Sequence, residues 1–182
     1  MRRREAAALV LLETPRLRLR RVSLEDAPFI LDLLNEPSFL AFIGDKGVRD
    51  IAGAEQYIRQ GPMASYERFG FGLYLVLLSD GDVPIGMCGI LKRDALPDVD
   101  IGYAYRPAWW SQGYAFEAAE AVLAHGRDDF GLKRIVAILS PENEASKRLL
   151  TRLGFREEGL IELPADPRPT TLFSINLGAL PA

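Results

Sequence analysis

The chain has 182 residues, 48% of them apolar and 26% charged, with a formal net charge of −3, the size and composition of one soluble globular domain. That charge leaves no electrostatic footprint for a nucleic-acid partner, and no apolar run approaches the ~20 residues of a membrane-spanning helix. Cys88 is the only cysteine and His125 the only histidine, which excludes an internal disulfide framework, leaves too few ligands for a zinc site (no metal is expected), and points to the cytoplasm.

Arg2-Arg3-Arg4 followed by Ala6 to Leu12 has the outline of a short secretory signal. Glu13 ends the apolar run and no clear small-residue cleavage site follows, so the segment is read as a lead-in to the first strand. Arg16-Leu17-Arg18-Leu19-Arg20 alternates with period two and predicts a strand with one buried face. Asp26 to Leu34 supplies a helix with Phe29, Ile30, Leu33 and Leu34 on one side, and Ile51 to Phe69 a second helical region, expected to break near Gly61-Pro62. Gly72 to Leu78 and Pro84 to Leu91, joined by Ser79-Asp80-Gly81-Asp82, read as a hairpin. A strand over Asp98 to Tyr105 follows.

After Gln112-Gly113-Tyr114-Ala115, apolar residues recur at Ala115, Ala118, Ala119, Val122, Leu123, Gly126 and Phe130, the spacing of one buried helical face. The turn before it is therefore a helix N-terminus with free backbone N–H groups, where Gly113 and Ala115 allow close approach of a diphosphate. No Lys-Ser or Lys-Thr follows the glycine and no G-x-G-x-x-G follows a strand, so neither common nucleotide fingerprint fits. Ile135 to Leu139 predicts a further strand, Ser140 to Leu153 an Asn-capped helix ending at Gly154-Phe155, and Phe155 to Glu162 with Leu172 to Leu177 a closing pair of strands. The fold class is α/β, a mixed and mostly antiparallel central sheet with helices on both faces. With no repeat, linker or low-complexity tract, a single domain over 1–182 is expected, its core at about 12–178.

The order strand, loop, long helix, strand, Asn-capped helix, Gly-Phe strongly resembles the GNAT superfamily of acyl-CoA-dependent N-acyltransferases, and within it the Rim-type branch that acetylates protein N-termini. Trp109-Trp110-Ser111-Gln112-Gly113-Tyr114-Ala115 looks like that branch's WGxGYA loop, Asn143 with Ser146 like its NxxS, and Gly154-Phe155 followed by Glu158-Gly159 like its GFxxEG. The resemblance runs from about Leu12 to about Leu177. It implies acetyl-CoA as co-substrate, held by Trp110, Ser111, Gln112, Gly113, Tyr114 and Ala115 of the loop, by the main chain of Tyr103, Ala104 and Tyr105, and by Asn143 and Ser146.

Such a reaction needs a neutral amine. A Lys side chain, with a pKa of about 10.4, is mostly protonated at neutral pH, whereas an α-amino group, at about 7.7–8.0, is partly free, so a general base is needed in proportion. Asp100, on the strand that delivers the loop, is the first candidate, with a solvated strand-start carboxylate as the alternative reading; Glu158 is the second, or else a surface glutamate. The tetrahedral oxyanion needs preorganised donors, which the resemblance assigns to backbone N–H groups among Tyr103, Ala104 and Tyr105. Many superfamily members protonate the leaving thiolate with a Tyr where this chain has Leu150, so that role is vacant and Ser146 could fill it, or could merely accompany Asn143 at the helix start. Lys147 and Arg148 could meet the coenzyme's 3′-phosphate or simply be solvated. The expected acceptor is a protein or peptide N-terminal α-amine. A small-molecule amine (amino acid, polyamine or aminoglycoside) and a non-catalytic acyl-CoA-binding module are the alternatives; a monomer or a homodimer is compatible with the chain.

Overall fold

In a computed structural model, residues 10–164 and 166–179 are described; Arg2 to Leu9 of the signal-like run lie outside them. Eight strands form one sheet in the order β1-β2-β3-β4-β5-β6-β8-β7. They are β1 (Val10–Glu13), β2 (Leu17–Arg21), β3 (Leu73–Leu78), β4 (Pro84–Leu91), β5 (Asp100–Tyr105), β6 (Arg134–Leu139), β7 (Arg156–Leu163) and β8 (Asp166–Asn176). Every pairing is antiparallel except β5 with β6. The helices are α1 (Ala27–Leu34), α2 (Pro37–Phe42), α3 (Ile51–Ile58), α4 (Ala64–Phe69), α5 (Tyr114–Phe130) and α6 (Glu144–Arg152). None among the described residues is long and apolar enough to cross a membrane.

Period two sorts the central strands onto two cores. Along β3, Tyr74 and Val76 join Cys88, Ile90 and Ile101 against α5 and α6, while Leu75 and Leu77 join Met87 against α1 and α3. The interior of β4 is therefore buried along its whole length, as expected of a strand covered on both faces. Helix α5 lays its apolar stripe, Ala118, Ala119, Val122, Leu123 and Gly126, on this sheet. A methyl group at Gly126 would stand 2.8 Å from Ile90 Cδ1, so the glycine lets the helix approach, and filling it costs about 1–3 kcal/mol of overpacking.

Three local readings need correction. The alternating strand at Leu17 is the second strand; the end of the apolar lead-in itself pairs as β1. Pro37 starts the short helix α2, which no periodicity announced. The break expected at Gly61-Pro62 does not occur: Arg59–Met63 forms a π-helical turn that carries α3 into α4 with Pro62 inside it. A π-turn skips the i→i−4 bond that proline cannot make, so the helix continues through the ring.

Candidate active site

Strands β5 and β6 touch at one register point. Asp100 stands opposite Val136, and Val136 N–H donates to Val99 O at 2.9 Å; beyond that the strands part. Because Val99 faces β6, alternation turns the N–H and C=O groups of Tyr103 and Tyr105 the same way, into the opening gap. Ala104, which the sequence reading grouped with them, lies opposite Met87 and has its N–H turned toward β4, so it drops out as an oxyanion donor; the two tyrosine amides remain. Trp110 Nε1 donates to Tyr105 O at 2.9 Å, which ties the following loop to the far end of the gap.

That loop carries two residues in the left-handed region, Ser111 at φ 60° and Gly113 at φ 84°. For Ser111 the conformation is unfavourable, a strain of about 1–3 kcal/mol that surrounding structure must hold. Gly113 is the N-cap of α5 and no side chain caps it, so the first-turn N–H groups of a 17-residue helix are presented at the mouth of the gap. Gln112 folds back, its Nε2 donating to Ala108 O at 3.0 Å. Tyr114 packs edge-on against Trp109, and Ala115 leaves the turn uncrowded. Bare N–H groups and a helix dipole with no carboxylate capping them form a seat for an anion.

On the α1–α3 side of the sheet, Asp100 is 1% exposed. Its two oxygens accept from Arg93 Nε at 3.1 and 3.0 Å, and the guanidinium is 43% exposed. Burial pushes the Asp100 carboxyl above its ordinary value, and the Arg93 charge and hydrogen bonds oppose that rise. A buried carboxylate whose ion-pair partner among the described residues opens to solvent is a group that can accept a proton. Arg168 of β8 reaches the Ile43 carbonyl at 3.4 Å, so the loop after α2 and the β7–β8 hairpin meet.

On the other side of the sheet, Asn143 caps α6: its Oδ1 accepts from Ser146 N–H at 3.1 Å. The capping reading of Asn143 is therefore correct as far as its oxygen goes, and its Nδ2 is left as a donor. The Ser146 hydroxyl lies beside the Tyr103 phenol, which burial pushes up to about 12. Tyr103, named from sequence only for its main chain, thus also contributes its side chain. The Tyr105 hydroxyl is buried beside the Cys88 thiol and lacks a well-formed hydrogen bond. Leu150 is 1% exposed, packed in the core, and no tyrosine replaces it there.

Glu158 is placed differently. Hydrogen bonds from Ser174 and Arg134 hold its carboxyl below the usual range, and Arg134 also pairs with Asp98. The four side chains form a polar stripe bracing β6, β8, β7 and the bend that leads into β5, which spends the carboxylate on the sheet and makes it a poor base. Lys147 pairs with Glu157 at 3.3 Å, leaving Arg148, exposed, as the cation open to a phosphate. Sequence reasoning missed Arg93, although β4 and β5 pair at Leu91 and Asp100 and so place Arg93 at the end of that hairpin.

Comparison with known proteins agrees with this geometry. The family described as "Acetyltransferase (GNAT) domain" matches residues 16–156. The uncharacterized N-acetyltransferase YoaA of Bacillus subtilis is 30% identical over 171 residues, covering 91% of this chain and 96% of that one. The [ribosomal protein uS5]-alanine N-acetyltransferase of Escherichia coli is 37% identical over 104 residues, 56% of this chain and 54% of its own. The solved structure of Mycobacterium smegmatis RimJ in complex with CoA-disulfide superposes with a TM-score of 0.75 at 26% identity, covering 91% of this chain and 84% of that chain. A parted β5–β6 pair with a bare helix N-terminus at its mouth, and a family match over most of the length, lead to one conclusion: the chain belongs to the GNAT acetyltransferases and is an acyltransferase enzyme.

Proposed function

We propose that the protein transfers the acetyl group of acetyl-CoA to a primary amine, and that the preferred acceptor is the N-terminal α-amine of a protein or peptide. The observation that carries the first part is the β5–β6 gap ending at the uncapped N-terminus of α5. The first-turn amides of α5 suit the coenzyme diphosphate, and the Tyr103 and Tyr105 N–H groups suit the oxyanion formed when the amine attacks the thioester. Asp100 takes the proton the amine loses, directly or through water. Ser146, backed by a Tyr103 phenol that keeps its proton at neutral pH, offers a hydrogen bond to the departing thiolate.

The choice of acceptor rests on two supports. One relative, the [ribosomal protein uS5]-alanine N-acetyltransferase, is named for a protein acceptor. A single buried carboxylate held by an arginine is also better matched to an amine of pKa about 8 than to one of about 10.4. The test offers short peptides with free or blocked N-termini, each containing one Lys, and locates the acetyl group by mass spectrometry. Acetylation of the free N-terminus is expected; modification confined to Lys, or activity on free small amines alone, defeats this acceptor and leaves the acetyltransferase assignment intact.

A further inference from the structure

We propose that Arg16 is a positioning residue for the coenzyme loop, clamping Gln112 to Glu117 in the strained conformation that receives the diphosphate; this rests on the reading of that loop given above. Arg16 sits in the turn between β1 and β2, where Thr14 N–H donates to Leu17 O at 2.9 Å and Leu17 N–H returns a bond to Thr14 Oγ1 at 3.0 Å. Its carbonyl accepts from Ser79 N–H at 2.9 Å, so its main chain is fixed to the end of β3. From this anchored base the side chain crosses to the loop. Nη1 donates to Gln112 O at 2.9 Å, the carbonyl between the two left-handed residues. Nε donates to Glu117 Oε2 at 2.6 Å, while Arg16 N–H and Thr14 Oγ1 take Glu117 Oε1 at 2.9 and 2.6 Å. The guanidinium carbon lies 4.4 Å above the Tyr114 ring, and Nη2 would meet a side chain at Gly113 at 3.1 Å.

One side chain therefore touches the loop carbonyl, the first helical residue and the first-turn carboxylate, and fills the space a side chain at the N-cap glycine would need. Glu117 offsets the charge of Arg16, so the contribution to binding is geometric. The loop is held in its left-handed path before the coenzyme arrives, and the ordering cost is not charged to binding. Only a planar fork reaches Gln112 O and Glu117 together, which a lysine cannot do.

The test measures coenzyme A affinity by calorimetry, acetyl transfer kinetics and Tm for Arg16→Ala, Arg16→Lys and Gly113→Asp. Arg16→Ala is expected to weaken coenzyme binding about tenfold, raising KM for acetyl-CoA far more than it lowers kcat, and Arg16→Lys is expected to bind no better. Hydrogen exchange of the amides from Gly113 to Phe116 should quicken in both. Affinity within twofold of wild type in folded Arg16→Ala, while Gly113→Asp loses binding, overturns the clamp alone. Wild-type affinity in Arg16→Lys also overturns it, because charge would then suffice. Unchanged affinity in Gly113→Asp overturns the loop assignment, and the clamp with it.

Discussion

Asp100 combines two opposed features: it is buried at the one point where β5 meets β6, and it is ion-paired with a half-exposed arginine. Burial raises its folded-state pKa, so the stability its neutral form contributes is complete below the unfolded value, about 3.9, and is lost as pH rises through the folded value. At neutral pH the ionised group is a cost kept for function, which Arg93 offsets in part. Asp100→Asn should therefore lower kcat/KM by about 10²–10⁴-fold while leaving Tm at pH 7 unchanged or higher. In the wild type, kcat/KM should fall as pH drops through the raised Asp100 value, and the variant should lose that acid limb. A folded variant of full activity refutes the role, and a variant with a lowered Tm at pH 7 refutes the stability account. Asp100 was legible because alternation along one strand is a local property. Arg93 and Arg16 were not, because each acts across a connection whose path is set by tertiary structure.

At the scale of elements, α6 shows how one residue can serve local structure and a ligand at once. Asn143 spends its oxygen on the Ser146 amide, an N-cap bond worth about 0.5–2 kcal/mol. Asn143→Asp keeps that acceptor and removes the Nδ2 donor. If the amide also meets the coenzyme, Asn143→Asp should hold Tm within about 2 °C and raise KM for acetyl-CoA, whereas Asn143→Ala should lose both stability and affinity. Calorimetric Tm and steady-state kinetics on the two variants separate cap from ligand contact; an unchanged KM in the Asp variant confines Asn143 to capping. Helices α5 and α6 could be read from sequence because a cap, a long amphipathic stripe and a terminal glycine coincide. Strand β1 and helix α2 could not: four and six residues give too few periods to distinguish from loop, and tertiary pairing decides them. The π-turn at Pro62 was hidden for a different reason, since proline predicts a break and a widened turn is a rarer solution to the same missing hydrogen bond.

Across the whole molecule, the sheet is continuous except where β5 and β6 part, and both cores are built around that opening. One core packs Ile101 and Tyr105 with α5 and α6; the other packs Ala104 beside Met87 with α1 and α3. Coenzyme bound in the gap would bridge the halves of the sheet that only the Asp100–Val136 contact and the helices now join, so binding and folding stability are coupled. At a coenzyme concentration one hundred times its Kd, ligand linkage adds about 2.7 kcal/mol, which at about 2–4 °C per kcal/mol for a chain of this size raises Tm by about 5–10 °C. Thermal unfolding with increasing acetyl-CoA should show this rise following the calorimetric Kd. Gly113→Asp, with a carboxylate at the uncapped end of α5, should show little or no rise at the same concentration, measured against its own ligand-free Tm, which falls because a side chain at φ 84° is strained and meets Arg16. A full thermal shift in that variant places the coenzyme elsewhere on the molecule, and the absence of any shift in the wild type means that the folded protein does not bind acetyl-CoA at that concentration.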